Sequence, residues 1–304
     1  MKTNELYQKI TDEIVKLLKK QLAGGGQSWI NLKGNCLPHN LTTAKNYSGI
    51  NTLILSIYSS LKKYEHNGWL TFNQARKLNA KVKPGAKSAP VYYFTFVYKD
   101  SKGKTIPPAK IATMTKAEIS VLDAYGIIKS YAVFNAAQVE GLPKNLTSNN
   151  LEITLNDFEQ DQQAESILNN STATIYIKKS NEAFYSPNED IIVLPLREQF
   201  PKNMKFYEVA FHELSHWTAH ESRLNRPIKN KFGSAAYAKE ELIAELGAAF
   251  LMAEIGCEKL ITDNAAYIQS WLSVLNNDPK IVISAAAKAQ KAANYILMKS
   301  LQAA

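Results

Sequence analysis

Two cysteines in 304 residues, Cys36 and Cys257, are too few and too far apart for a disulfide framework. They are expected to be reduced thiols in a cytoplasmic protein. Cys36 and His39 form a CxxH, but no second pair accompanies them, which excludes a zinc knuckle there. Long apolar runs are missing as well: no window approaches the ~18 consecutive apolar residues of a membrane span, so no transmembrane helix and no membrane partner are expected. The opening MKTNELYQKITDEIVKLLKK lacks the uninterrupted apolar stretch of a secretory signal, because Asp12, Glu13 and Lys16 break it. Leu6, Ile10, Ile14, Leu17 and Leu18 instead recur at helical spacing.

Negative charge is scarce on one side only. Residues 1–150 carry 21 Lys and Arg against 8 Asp and Glu, a balance of +13, whereas residues 151–304 carry 15 against 19, a balance of −4. The overall +9 is therefore a strongly basic half joined to a slightly acidic one. One half is expected to meet a polyanion while the other does different work.

The chain reads as α+β in two domains, 1–145 and 161–304, joined by a linker over 146–160, where the composition turns polar and the charge changes sign. There is no internal repeat and no long low-complexity tract. The first domain is a mixture of helices and strands. Helices are expected over about 4–22 and 49–64, with a short one entered through Thr71. APVYYFTFVYKD is the clearest strand, with Tyr92, Phe94, Phe96 and Tyr98 on one face, expected to be core, and a second strand ends near Asn135. The second domain opens with a helix near 157–169. Three short strands follow in ATIYIKK, AFYSP and DIIVLP, then helices over about 203–220, 234–256, 263–276 and 281–301. A short sheet followed by helices is the α+β arrangement.

His212, Glu213 and His216 form HExxH. On a helix, positions i and i+4 share a face, about 6 Å apart along the axis, so both imidazoles can grip one metal ion. Zinc lowers the pKa of a bound water to about 7, and Glu213 stands beside that face to take the proton, which is the chemistry of peptide hydrolysis. One Zn2+ per chain is expected. The third protein ligand has two candidates. His220 extends the stripe but lies a further turn along. Glu241 opens the apolar helix that follows, where an acid needs a partner because unpaired burial of charge is expensive. With Glu245 one turn later it matches the ExxxD/E pattern of gluzincin-type sites, in which the first acid binds metal and the second orients a histidine. Glu241 is thus assigned as ligand, Glu245 as its outer support, and Glu240 as a solvated acidic edge.

The basic half has the residue types that bind single-stranded nucleic acid, Lys and Arg for phosphates and aromatics for stacking. Candidate DNA-binding residues are Trp29, Tyr47, Trp69 and Phe72 as stacking platforms, Asn51 and Gln74 for base edges, and Arg76, Lys77, Lys83 and Lys87 for the backbone.

Five segments, YSGINTLIL, WLTFNQARKL, YAVFNAAQVEGLP, FHELSHWTAHESRLNR and EELIAELGAAFL, occur in this order. Together they resemble the ArdC antirestriction proteins over about residues 5–256. The resemblance implies an N-terminal single-stranded DNA-binding domain, shared with some plasmid primases, and a C-terminal zincin-like metalloprotease domain similar to SprT and Spartan proteases. It implies His212 and His216 as metal ligands, Glu213 as catalytic acid and EELIAE as the source of the third ligand. It also implies a role in protecting mobile-element DNA from host restriction, with a DNA-bound or restriction-system protein as the substrate. The chain departs from the family where Ser28-Trp29 replaces a frequent Pro-Trp, and where a Gly is common near Asn79. Two rival functions use the same residues: a pure DNA-coating protein, and a protease acting on DNA–protein crosslinks.

Overall fold

A computed structural model describes residues 3–23, 37–147, 157–228, 234–256, 278 and 280–303. Trp29, both cysteines, residues 148–156 of the expected linker and the helix expected over 263–276 lie outside the described residues. The first half contains α1 (Thr3–Ala23), β1 (His39–Asn40), α2 (Ile50–Lys62), β2 (Gly68–Thr71), α3 (Phe72–Lys77), β3 (Lys81–Val82) and β4 (Ala89–Lys99). It continues through α4 (Pro108–Ile111), α5 (Lys116–Ser120), β5 (Asp123–Asn135), β6 (Val139–Glu140) and α6 (Lys144–Thr147). The second half contains α7 (Asp157–Asn170), β7 (Thr174–Ile177), β8 (Phe184–Ser186), β9 (Ile191–Leu194), α8 (Asn203–Trp217), α9 (Ala235–Glu254) and α10 (Ile281–Ala303).

The first sheet runs β1-β2-β5-β4, and a separate two-stranded ribbon pairs β3 with β6. β4 and β5 pair antiparallel from Ala89↔Val133 to Lys99↔Asp123. α3 starts where the sequence signals it. Thr71 Oγ1 accepts the Gln74 amide N–H, and the Gln74 side chain accepts the Thr71 N–H in return, a closed capping box. Asn79 has φ +56°, a left-handed conformation that Asn tolerates better than most residues.

The aromatic face of β4 is not the core that its alternation suggests. Tyr92 is 4% exposed, but Phe96 on the same face is 62% exposed. The outer half of the hairpin is covered only in part, by Ile106 and the short α4, with which Phe94, Phe96 and Tyr98 line an open cavity. Tyr93, Tyr125 and Tyr131, whose register places them together on the opposite face, are exposed as well.

The second sheet is β7-β9-β8, with β7 parallel and β8 antiparallel to β9. α8 lies on it, α9 packs along α8, and α10 along α9. Ala285, Ala286, Ala289 and Ala293 of α10 are fully or almost fully buried, and their small side chains let that helix lie close to its neighbours. The main apolar cluster draws on both halves of the chain. Ile10, Ile14, Leu53, Ile57 and Tyr92 join Phe206, Phe211, Leu246, Phe250 and Ala286 in it. Across the same junction the Gly49 N–H donates to Gln290 Oε1 at 3.1 Å.

Candidate functional site

α8 buries Phe206, Ala210, Leu214 and Trp217 at helical spacing, which turns His212 and His216 toward α9. α9 begins at Ser234, whose Oγ accepts the Tyr237 N–H, and from Leu242 to Ala253 it is buried except at Glu245. The two helices meet at Gly247. A Cβ there would lie 2.5 Å from Ser215 Oγ and 3.1 Å from Ser215 Cβ. Any larger residue would force Ser215 to shift, and the close approach brings the acids at the start of α9 to the histidines of α8. Gly247→Ala is expected to destabilise the protein by about 1–3 kcal/mol through overpacking, and to weaken metal binding as the helices part. Thermal unfolding with and without added zinc measures both effects. Unchanged midpoints would mean that Ser215 yields without moving its helix.

The Nε2 atoms of His212 and His216 are 3.1 Å apart. Glu241 places Oε2 3.5 Å from the first and Oε1 3.5 Å from the second. Nitrogen and oxygen ligands at about 2.1 Å around a tetrahedral zinc lie about 3.4 Å from one another, so the three donors have the spacing of one face of such a site. Among the described residues, His212, His216 and Glu241 are the group that could hold a metal ion. His220 turns away. α8 stops at Trp217 with Thr218 as its C-cap, so the stripe expected from the sequence is cut before its third member. His220 Nδ1 pairs instead with Ser222 Oγ at 2.8 Å.

The other side of each ring faces a carboxylate. His212 Nδ1 lies 3.2 Å from Glu245 Oε1, and His216 Nδ1 lies 3.5 Å from Glu240 Oε1. Glu240 is not a solvated edge, as the sequence suggests, but a 5% exposed side chain paired with Arg226. Burial pulls the His212 imidazolium down, but Glu241 and Glu245 outweigh it and push its pKa up to about 10. Burial opposes ionisation of Glu241, yet the two histidines hold its carboxyl well below the usual carboxylate range. This is a compact, charge-dense site in which a cation would replace bound protons. Glu213, next to His212, is 8% exposed, and its negative charge acts on both histidine rings. Arg223 anchors the end of α8 to the sheet through Asp190, and its guanidinium lies 4.0 Å over the Trp217 ring.

The candidate DNA-binding residues separate by burial. Trp69 is 1% exposed, because β2 runs inside the sheet between β1 and β5, so it is no stacking platform. Tyr47 is half-buried against the cluster containing Trp69. Asn51 spends its amide on the backbone of Tyr92, donating to its C=O at 2.7 Å and accepting its N–H at 2.8 Å. Gln74 is occupied by the α3 cap, Asn40 and Thr42. Neither amide is available for base edges. Phe72, Arg76, Lys77, Lys83 and Lys87 are exposed on and after α3, although the Lys83 ammonium donates to the Ala137 C=O. Phe94 and Phe96, expected to be core, are exposed, and Tyr93, Tyr125, Tyr131 and Lys129, which the sequence reading did not single out, are exposed on the other face of the same hairpin.

Residues 4–134 match the family described as the N-terminal domain of anti-restriction factor ArdC. Residues 162–288 match the family of zincin-like metallopeptidases. The chain is 34% and 36% identical to two Escherichia coli proteins named DNA primase TraC, covering 96% of this chain in each case. It spans only 27% and 20% of those primases' length. Among solved structures, the metal-free antirestriction protein ArdC of plasmid R388 is 30% identical over 98% of both chains, with a TM-score of 0.75. Its Mn(II)-bound form superposes with a TM-score of 0.71, covering 97% of this chain and 98% of that one. No described helix is long and apolar enough to cross a membrane.

Proposed function

Because the chain belongs to the ArdC family of antirestriction proteins, we propose that it binds single-stranded DNA and carries a working zinc peptidase that protects incoming mobile-element DNA from host restriction. The basic half holds the strand with little sequence preference. The zincin-like half binds one zinc ion per chain through His212, His216 and Glu241, and hydrolyses a protein bound to, or acting on, that DNA. The setting is the cytoplasm of the recipient cell.

One observation carries the peptidase reading: three donors spaced for one zinc stand together on two packed helices, and the charge of Glu213 acts on both histidines. Glu213 interacts electrostatically with both histidines, which supports a role for its carboxylate in moving a proton at the site. Zinc, when bound, supplies Lewis acidity and an acidified water. Glu213 accepts a proton there and returns it to the leaving amine. Glu245 fixes the His212 ring from behind.

Support for the DNA reading is the +13 charge of residues 1–150 together with exposed aromatics among the cations, Phe72 near Arg76 and Lys77, and Tyr93 paired with Lys129. Binding of the full chain to a single strand should weaken steeply with salt, with a log–log slope of about −0.7 for each phosphate neutralised. The Arg76→Ala/Lys77→Ala variant should flatten that slope. Phe72→Ala should lose about 1–3 kcal/mol of affinity, as expected for one stacked base, without a change in thermal stability. Trp69→Ala should instead lose about 3–5 kcal/mol of stability, as for a core aromatic. Fluorescence anisotropy across a salt series decides it, and salt-independent binding would sink the assignment.

A further inference from the structure

We propose that Glu240 and Arg226 form a positioning pair that aims His216 at the metal and locks α9 against α8. The proposal rests on the metal-centre reading above. Both side chains are buried, Glu240 at 5% and Arg226 at 7% exposure. The guanidinium grips the carboxylate with two bonds, Nη2 to Oε1 at 2.7 Å and Nε to Oε2 at 3.1 Å. It also donates to the Ser215 C=O at 2.9 Å and to Thr218 Oγ1 at 2.8 Å, both in the last turn of α8. One side chain thus ties the end of the histidine helix to the start of the glutamate helix, on either side of the three donors.

Stability does not explain this pair. A buried ion pair seldom outperforms well-packed apolar residues of the same volume, because desolvation offsets the attraction. Its placement suggests another purpose. A histidine that gives Nε2 to a metal carries its proton on Nδ1, and that N–H needs an acceptor. For His212 the acceptor is Glu245. His216 Nδ1 is buried and makes no hydrogen bond, and Glu240 Oε1 lies 3.5 Å from it. A shift of about 0.5 Å would reach ordinary hydrogen-bond length. Arg226 holds the Glu240 carboxylate in place with two bonds, leaving Oε1 as the acceptor on which His216 closes when its other nitrogen is committed.

The test compares wild type, Glu240→Gln and the double variant Arg226→Met/Glu240→Leu. Zinc affinity is measured by chelator competition, the visible absorption spectrum after cobalt substitution, and thermal unfolding without metal. Wild type should take up one zinc. Both variants should bind it at least about 10-fold more weakly, as for loss of an outer-shell partner, and should show an altered cobalt spectrum. The double variant also loses the bonds of Arg226 to Ser215 and Thr218, so unfolding without metal reports whether it keeps its fold before its zinc affinity is compared. Wild-type affinity and spectrum in the double variant would overturn the proposal. If the double variant does not fold, wild-type affinity in Glu240→Gln overturns it alone. A wild-type protein that binds no zinc would instead defeat the metal reading itself.

Discussion

Glu213→Gln is expected to keep the zinc and lose the peptidase. The substitution preserves volume and leaves the three donors, His212, His216 and Glu241, untouched, so zinc should still bind at one per chain. General acid–base catalysis by a positioned side chain contributes about 10²–10⁴-fold, so cleavage of a protein bound to single-stranded DNA should fall by that factor. The same variant separates the biological readings in a restriction-challenge assay. Loss of protection together with cleavage supports proteolysis as the mechanism of antirestriction. Full protection without cleavage would leave DNA coating as the mechanism, and loss of crosslink tolerance alone would favour repair.

His212→Ala and Glu241→Ala should each abolish stoichiometric zinc binding, while His220→Ala should leave it intact. A complete four-ligand zinc site is worth about 10–16 kcal/mol at neutral pH, so loss of one protein ligand should weaken binding on the order of 10²–10³-fold. His220→Ala is expected to leave zinc binding unchanged because that ring is engaged with Ser222 beyond the end of α8. Metal analysis after gel filtration against a weak chelator reads all three variants. Zinc retained by Glu241→Ala and lost by His220→Ala would reverse the assignment of the third ligand. Wild-type affinity should fall as pH falls. The carboxylates around His212 push its pKa up to about 10, so the metal-free site holds a proton at neutral pH that zinc must displace, and lowering the pH favours the proton.

Much of the metal centre was legible because its logic is local. Two histidines four apart on a helix share a face whatever surrounds them, and an acid at the mouth of an apolar helix demands a partner. That second argument applies equally to Glu240, next to Glu241 in sequence. Its partner, Arg226, sits in a turn after another helix, and no periodicity links the two. Gly247 was illegible for the same reason, because its importance lies in Ser215 across the helix contact. In the first half, the strand over residues 89–99 follows from its residues, but its burial does not. Alternation says which side chains share a face; whether a helix covers that face depends on the rest of the fold. Trp69 shows the converse: among lysines it resembles a platform, yet its short strand is threaded through the middle of a sheet.

The apolar cluster that takes Ile10, Ile14 and Leu53 from one half and Phe206, Leu246 and Ala286 from the other has a consequence for reach. A catalytic unit on a flexible leash sweeps a volume and cuts whatever enters it, with an effective concentration set by leash length. A catalytic unit fused through a common core sweeps nothing. Under the proposed function, it would stand at one distance and one angle from a strand bound by the other half, like a gauge fixed to a rail. Such a device selects among DNA-bound proteins by where they offer an accessible stretch of backbone relative to the nucleic acid, and two targets of equal sequence at different heights above the strand would be treated differently.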